Sequence, residues 1–247
     1  MCGRSLTSEF SLFSKGATRM ADYVIAPPAI TSVPVAGGGS FPVRRVFCVG
    51  RNYAEHAREM GSDPDREPPF FFMKPADALL LNDADMPYPP QSKQLHHEME
   101  MVVAIGVGGT NITEADALNH VWGYAAGLDM TRRDIQNAAK KEGKPWDMGK
   151  GFDWSAPIGL LVPASKIGHP SKGLIELKVN GKVRQTSDLS KMIWDVPEMI
   201  AYLSGLVTLA PGDLIYSGTP ENVAAVERGD LLEGTVEGVG TVTTRIV

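Results

Sequence analysis

The sequence predicts an α+β domain dominated by mixed, curled β-sheet rather than a doubly wound α/β fold. Short apolar runs of strand length outnumber helical segments, and the helices do not alternate regularly with them. Glycine or proline turns separate most of the runs. A chain of 247 residues is long enough for one large domain or two small ones with a buried core.

Residues 1–20 stand apart. They are serine-rich up to Arg19, lack a secretory apolar core and precede a second start at Met20. They read as a disordered extension, since Glu9 counts against a targeting peptide. Residues 21–45 contain Pro27-Pro28, Pro34 and Gly37-Gly38-Gly39, the mark of a small N-terminal β segment of short strands and turns. The main domain then spans 46–247.

Within it, 46–49 is a buried strand ending at Gly50, and 53–60 a short helix stopped by Gly61. Pro68, Pro69, Pro75, Pro87, Pro89 and Pro90 predict loops around the apolar Phe70-Phe71-Phe72-Met73. A strand at 99–105 precedes a helix N-capped by Thr113, with Asp116 placed for a capping box. The apolar run 122–129 is a strand that delivers Asp129 at its end, and 132–141 is a polar helix. Asn180-Gly181 between alternating runs signals a type I′ hairpin. Asp195, Pro197 and Glu198 start a helix over 196–206. Strands at 214–217, 231–236 and 241–246 complete the chain.

A net charge of -5 argues against a nucleic-acid surface, which is usually basic. No apolar run is long enough to span a bilayer. Cys2 and Cys48 form no CxxC pair, so no disulfide framework is indicated and a reducing cytosol fits.

The chemistry concentrates in two stretches. In the strand beginning near His96, side chains alternate, so Glu98 and Glu100 share a face opposite Met99 and Met101. Adjacent carboxylates repel unless a cation or proton lies between them. Oxygen-only ligands suit a hard divalent ion, Mg2+ or Mn2+. The pair alone fits a solvated strand face equally well; Asp129, at the end of an apolar strand, tips the balance toward metal. His96 shares the face of Glu98 and reads as a hydrogen-bond partner of a ligating carboxylate rather than a fourth ligand.

His56 and Glu59 are three apart on the predicted helix, where a carboxylate could fix the imidazole for taking a proton from water. Such a pair is usually an exposed helix pair and matters only if it faces the metal. Arg133 and Gln136, also three apart, could donate to an oxyanion or simply lie on a solvated helix face, as Lys140, Lys141 and Glu142 do. Lys150, between Gly149 and Gly151, has a setting that permits close approach to a ligand. The triple glycine opens no GxGxxG helix, and Gly149-Lys150-Gly151 is no Walker A loop.

Together these blocks resemble the fumarylacetoacetate hydrolase family from about Val43 onward. The matching residues are Val49-Gly50-Arg51-Asn52-Tyr53-Ala54-Glu55-His56, Lys74-Pro75, His97-Glu98-Met99-Glu100, Asp129 with Arg133-Asp134-Ile135-Gln136, Lys150-Gly151-Phe152-Asp153 and Ser217-Gly218-Thr219-Pro220. Within the family, the stretch from Arg66 to Asp77 is similar to the fumarylpyruvate hydrolase branch. The resemblance implies a β-roll-like catalytic domain of mixed sheets, a homodimer, and Mg2+ or Mn2+ held by Glu98, Glu100 and Asp129. It implies His56 and Glu59 as a water-activating dyad and Lys150 as a catalytic cation. Arg51, Arg133, Gln136 and Thr219 are the implied substrate contacts. The implied substrate is a small diketo acid, an acylpyruvate such as fumarylpyruvate, cleaved to pyruvate and a partner acid. Oxaloacetate decarboxylation, isomerisation of an unsaturated dicarboxylate, and a non-catalytic binding role are the alternatives. Arg51, Arg58, Arg66 and Lys74 are the cations available for a far carboxylate.

Overall fold

The computed structural model describes residues 23–55 and 67–247. Residues 1–20, and the predicted helix beyond Glu55 with His56 and Glu59, lie outside the described residues.

β1 (Ser32–Pro34) and β2 (Ser40–Pro42) form an antiparallel pair. Gly37, Gly38 and Gly39 turn between them at positive φ, a conformation only glycine adopts without strain. β3 (Arg45–Gly50) then pairs antiparallel with β4 (Phe70–Lys74). The apolar run Phe70–Met73, which the sequence sets among loops without assigning it an element, is therefore a strand. Its flanking prolines, Pro69 and Pro75, bound the run without interrupting it, so every residue from Phe70 to Lys74 keeps an N–H for the ladder.

Onward come β5 (Leu79–Leu80), β6 (Leu95–His96), β7 (Met99–Ile105), β8 (Val121–Leu128) and β9 (Thr131–Arg132). They are followed by β10 (Ala156–Pro157), β11 (Val162–Pro163), β12 (Leu174–Val179), β13 (Lys182–Asp188) and β14 (Asp213–Tyr216). β15 (Ala225–Val226), β16 (Leu231–Val236) and β17 (Gly240–Arg245) end the chain. The main sheet has the order β11-β8-β7-β14-β3-β4 and is mixed, because β14 runs parallel to β3 and antiparallel to β7. A second, antiparallel sheet has the order β13-β12-β16-β17.

β7 is buried along its whole length, so alternation sorts its side chains between two cores. Met99, Met101, Val103 and Ile105 pack with Ile175, Leu177 and Leu232 of the second sheet and with Met199, Ile200 and Leu203 of the helix Val196–Leu206. Val102 and Ala104 pack the other way, with Leu214, Tyr216, Phe41 and Leu161. The two sheets come close because Gly234 lacks a side chain: a Cβ there would sit 2.4 Å from Met99 Sδ.

Several local expectations hold. Asn180 and Gly181 both take positive φ in the β12–β13 turn, as a type I′ hairpin requires. Asp195 and Glu198 form a complete capping box at the start of Val196–Leu206. The helix Glu114–Ala117 does start after Thr113, but without its capping box. There the Asp116 carboxylate accepts from Asn119 and contacts His120 instead. Among the described residues no helix is long and apolar enough to cross a membrane.

Gly127 on β8 faces Glu100 across the ladder. A Cβ there would lie 2.7 Å from Val102 Cγ2 and 2.8 Å from the Tyr216 ring. Gly127→Ala is therefore expected to destabilise by about 1–3 kcal/mol through overpacking, read as a drop of several degrees in melting temperature. An unchanged melting temperature would show that this contact is not tight.

Candidate active site

Glu98 lies just before β7, Glu100 within it, and Asp129 just after β8. The backbone joins these points directly: the Asp129 N–H donates to the Glu98 carbonyl at 2.9 Å. Glu100 points to the Val102 face, as strand alternation requires, and away from the larger core. Carboxylate oxygens of Glu98, Glu100 and Asp129 all lie within 4.8 Å of one another, and all three residues are buried.

Burying like charges so close together is costly unless cations lie beside them. Two of the three acids receive such partners from the chain. Lys74, at the end of β4, places Nζ 2.8 Å from Asp129 Oδ1 and donates to the carbonyls of Met130 and Lys150. Lys150 Nζ donates to Glu98 Oε2 and Asp129 Oδ2, each at 2.7 Å. Arg133 pairs through Nη2 with Glu98 Oε1 and donates through Nη1 to Gln136 Oε1 at 2.6 Å.

Glu100 is different. Its Oε2 accepts from the Gly218 N–H at 2.8 Å, and among the described residues no cationic side chain contacts it. Burial, with the charges of Asp129 and Glu98 added, pushes its pKa well above the usual carboxylate range. Burial pulls the Lys150 ammonium down, but Asp129 and Glu98 outweigh it and leave its pKa above the ordinary lysine value. An acid without a direct cationic contact among the described residues, in an all-oxygen cluster, fits a hard divalent ion such as Mg2+ or Mn2+.

The other anticipated residues gather at the same place. Arg51, Gln136, Lys150 and Thr219 line one pocket with Glu98 and Glu100. Arg133 lines it too, but two of its nitrogens are engaged by Glu98 and Gln136, so it holds a site acid in place. Lys74 is 1% exposed and committed to Asp129, which removes it as a cation for a far carboxylate. Among the described residues no hydrogen bond joins His96 to a site carboxylate: its Nδ1 has no partner, and Arg133 and Lys150 both bind Glu98. Burial, with Arg133 nearby, lowers the His96 pKa to about 4. The glycines beside Lys150 serve packing rather than ligand approach. A Cβ on Gly149 would meet Gln136 at 3.0 Å, and one on Gly151 would meet Pro75 at 3.2 Å. His56, Glu59, Arg58 and Arg66 lie outside the described residues.

Phe70, Phe72 and Trp146 complete the pocket wall and were not singled out from sequence. The apolar run of β4 hinted at the two phenylalanines, and no sequence signal marked Trp146. The Asn52 match acquires a physical role: its Nδ2 donates to the carbonyls of Ser217 and Trp194, both at 2.8 Å, and its Oδ1 accepts from the Trp194 N–H. Asn52 thereby ties the loop after β3 to the Ser217-Gly218-Thr219 loop. Gly218 is required there, with φ of 93° and a Cβ position only 2.6 Å from Asn52 Cβ.

Comparison with known proteins agrees with this architecture. Residues 45–247 match the family model described as fumarylacetoacetate (FAA) hydrolase C-terminal. The crystal structure of fumarylpyruvate hydrolase from Pseudomonas aeruginosa in complex with Mn2+ and pyruvate is 52% identical, with a TM-score of 0.89 over 92% of this chain and 99% of that one. A fumarylpyruvate hydrolase of Ralstonia sp is 43% identical over 76% of this chain and 98% of its own length. The human mitochondrial oxaloacetate tautomerase FAHD1 is 41% identical over 82% of this chain and 91% of its own length. This chain belongs to the fumarylacetoacetate hydrolase family of enzymes.

Proposed function

We propose that this protein hydrolyses the carbon–carbon bond of an acylpyruvate, with fumarylpyruvate as the substrate and fumarate and pyruvate as products. One observation carries the reading: three buried carboxylates converge at a pocket that Glu98 and Glu100 line, and among the described residues cationic side chains contact Glu98 and Asp129 but not Glu100. Support also comes from the similar Pseudomonas aeruginosa enzyme, whose structure holds Mn2+ and pyruvate.

Glu98, Glu100 and Asp129 would hold Mg2+ or Mn2+, which when bound supplies positive charge for an α-oxo carboxylate and for the negative charge left on a departing pyruvate. The chain's own groups do the rest. His56, paired with Glu59, takes a proton from water, and the hydroxide adds to the carbonyl carbon distal to pyruvate. The Lys150 ammonium donates to the oxygen that becomes negative there. Gln136 assists, because its Oε1 is engaged by Arg133 and its NH2 is left as the donor on the pocket side. As that carbonyl re-forms, the carbon–carbon bond breaks and its electrons pass to the pyruvate carbon, which is then protonated. Phe70, Phe72 and Trp146 limit water around these charges.

Arg51 is suited to the far carboxylate of a fumaryl group. It sits at φ of 57°, a strained conformation for a side-chain-bearing residue. Its guanidinium lies 5.4 Å from the Phe70 ring centre, and its buried Nε has no partner.

A second reading has specific support in the 41% identity to oxaloacetate tautomerase. Keto–enol exchange needs the same charge stabilisation but no attack by water. The decarboxylase alternative shares that chemistry.

Incubation with fumarylpyruvate and Mn2+ is expected to release fumarate and pyruvate in equal amounts, with activity lost on chelation and restored by Mn2+. Acceleration of oxaloacetate keto–enol exchange with no pyruvate from fumarylpyruvate would favour the second reading. His56→Ala should lower kcat by about 10²–10⁴-fold while direct titration shows unchanged Mn2+ affinity; unchanged kcat would remove the proposed base. Arg51→Gln should raise KM for fumarylpyruvate by roughly 10–100-fold, yet leave KM for acetylpyruvate, which has no far carboxylate, nearly unchanged. Equal effects on both substrates would place Arg51 elsewhere.

A further inference from the structure

Gln185 is fully buried on β13, and the sequence marks it only as one residue of the alternating run after the Asn180-Gly181 turn, with no role in the site. Its side chain makes an unusual number of contacts for a glutamine in an apolar interior. Oε1 accepts from the Met99 N–H at 3.0 Å and lies 3.0 Å from His97 Nδ1. Nε2 donates to the Pro220 carbonyl at 2.9 Å, the Glu221 carbonyl at 3.2 Å and Thr219 Oγ1 at 2.9 Å.

These partners fix the amide without ambiguity. The Met99 N–H can only donate, and the Pro220 and Glu221 carbonyls can only accept, so a flipped amide would face like groups on both sides. Two consequences follow. His97 Nδ1, facing an oxygen, carries the ring proton. Thr219 Oγ1, facing an NH2, accepts, and its own hydrogen must point elsewhere. Among the described residues that hydrogen has no acceptor, while Thr219 lines the pocket beside Glu98, Glu100 and Lys150.

We propose that Gln185 is a positioning residue that sets the polarity of Thr219, holding its hydroxyl as a donor toward a carboxylate oxygen of the bound oxo acid. The inference rests on the reading of the pocket as an oxo-acid site. Gln185 also spans the two halves of that site. It binds β7 at Met99, between Glu98 and Glu100, and the 217–221 loop that carries Thr219 and the Gly218 N–H on Glu100. Metal-bearing strand and substrate loop are thus set against each other by one amide.

A double-mutant cycle on pyruvate binding by the Mn2+-loaded protein, read by calorimetry, tests this. Gln185→Glu keeps the shape but presents an acceptor to Thr219, which then turns its hydrogen away from the pocket. Gln185→Glu and Thr219→Val are each expected to weaken pyruvate by roughly 10–100-fold, and the double variant no more than Thr219→Val alone. Thr219→Ser, which keeps the hydroxyl, should recover affinity relative to Thr219→Val and remain sensitive to Gln185→Glu. Gln185→Met, which removes the donor without adding charge, gives a second route if the glutamate variant does not fold. It should weaken pyruvate in the Thr219 background and have no further effect with Thr219→Val. Multiplicative losses in the double variants, or full affinity in both Gln185 variants, would overturn the role of Gln185 while leaving the oxo-acid site intact. Absence of pyruvate binding by the wild type would overturn the oxo-acid reading itself, and this inference with it.

Discussion

Three carboxylates within 4.8 Å of one another in a buried pocket repel strongly, and much of the surrounding structure answers that repulsion. Lys74 and Lys150 come from different elements to meet Asp129 and Glu98, and Arg133 reaches Glu98 from a helix. The backbone bond between Asp129 and Glu98 keeps the strand ends from spreading. Glu100 receives a backbone N–H and no direct contact from a cationic side chain among the described residues, so the compensating charge is unevenly shared within the cluster. The clustered oxygen donors, with Glu100 free of a direct ion pair among the described residues, are what fit the site to a divalent ion.

The fold makes such a cluster affordable by surrounding it with close packing. β7 is central in its sheet and buried on both faces, so a glutamate within it has no route to solvent except through the pocket. Small residues let the neighbours close in. Gly127 admits Tyr216 and Val102, Gly218 admits Asn52, and Gly149 admits the Gln136 backbone. Each contact shortens a path between elements that carry site residues, and a rigid interior keeps charged groups at fixed distances.

Polar side chains in the interior act as ties between loops. Asn52 links the segment after β3 to Ser217 and Trp194. Gln185 links β13 to Met99 and to the 219–221 stretch. Both amides have their orientation dictated by backbone donors and acceptors, so each also dictates what its neighbours can do. The site is therefore held by two buried amides as well as by its ion pairs.

Much of this was legible in the chain itself, where the information is local. Strand periodicity placed Glu98 and Glu100 on one face, the apolar run before Asp129 made it a strand end, and Asn180-Gly181 and Asp195 with Glu198 announced a turn and a cap. Motif matches also brought Arg51, Gln136, Lys150 and Thr219 to one pocket. What depended on distance along the chain was out of reach. Phe70–Met73 becomes a strand only because β3 offers it an edge, and Lys74 turns inward only because Asp129 waits 55 positions further on. Gln185 looks like any residue of an alternating hairpin until Met99 and Thr219 close around it. Local sequence patterns determine conformation and face; which buried charge meets which partner is decided by tertiary contact, because electrostatic pairing depends on separation in space.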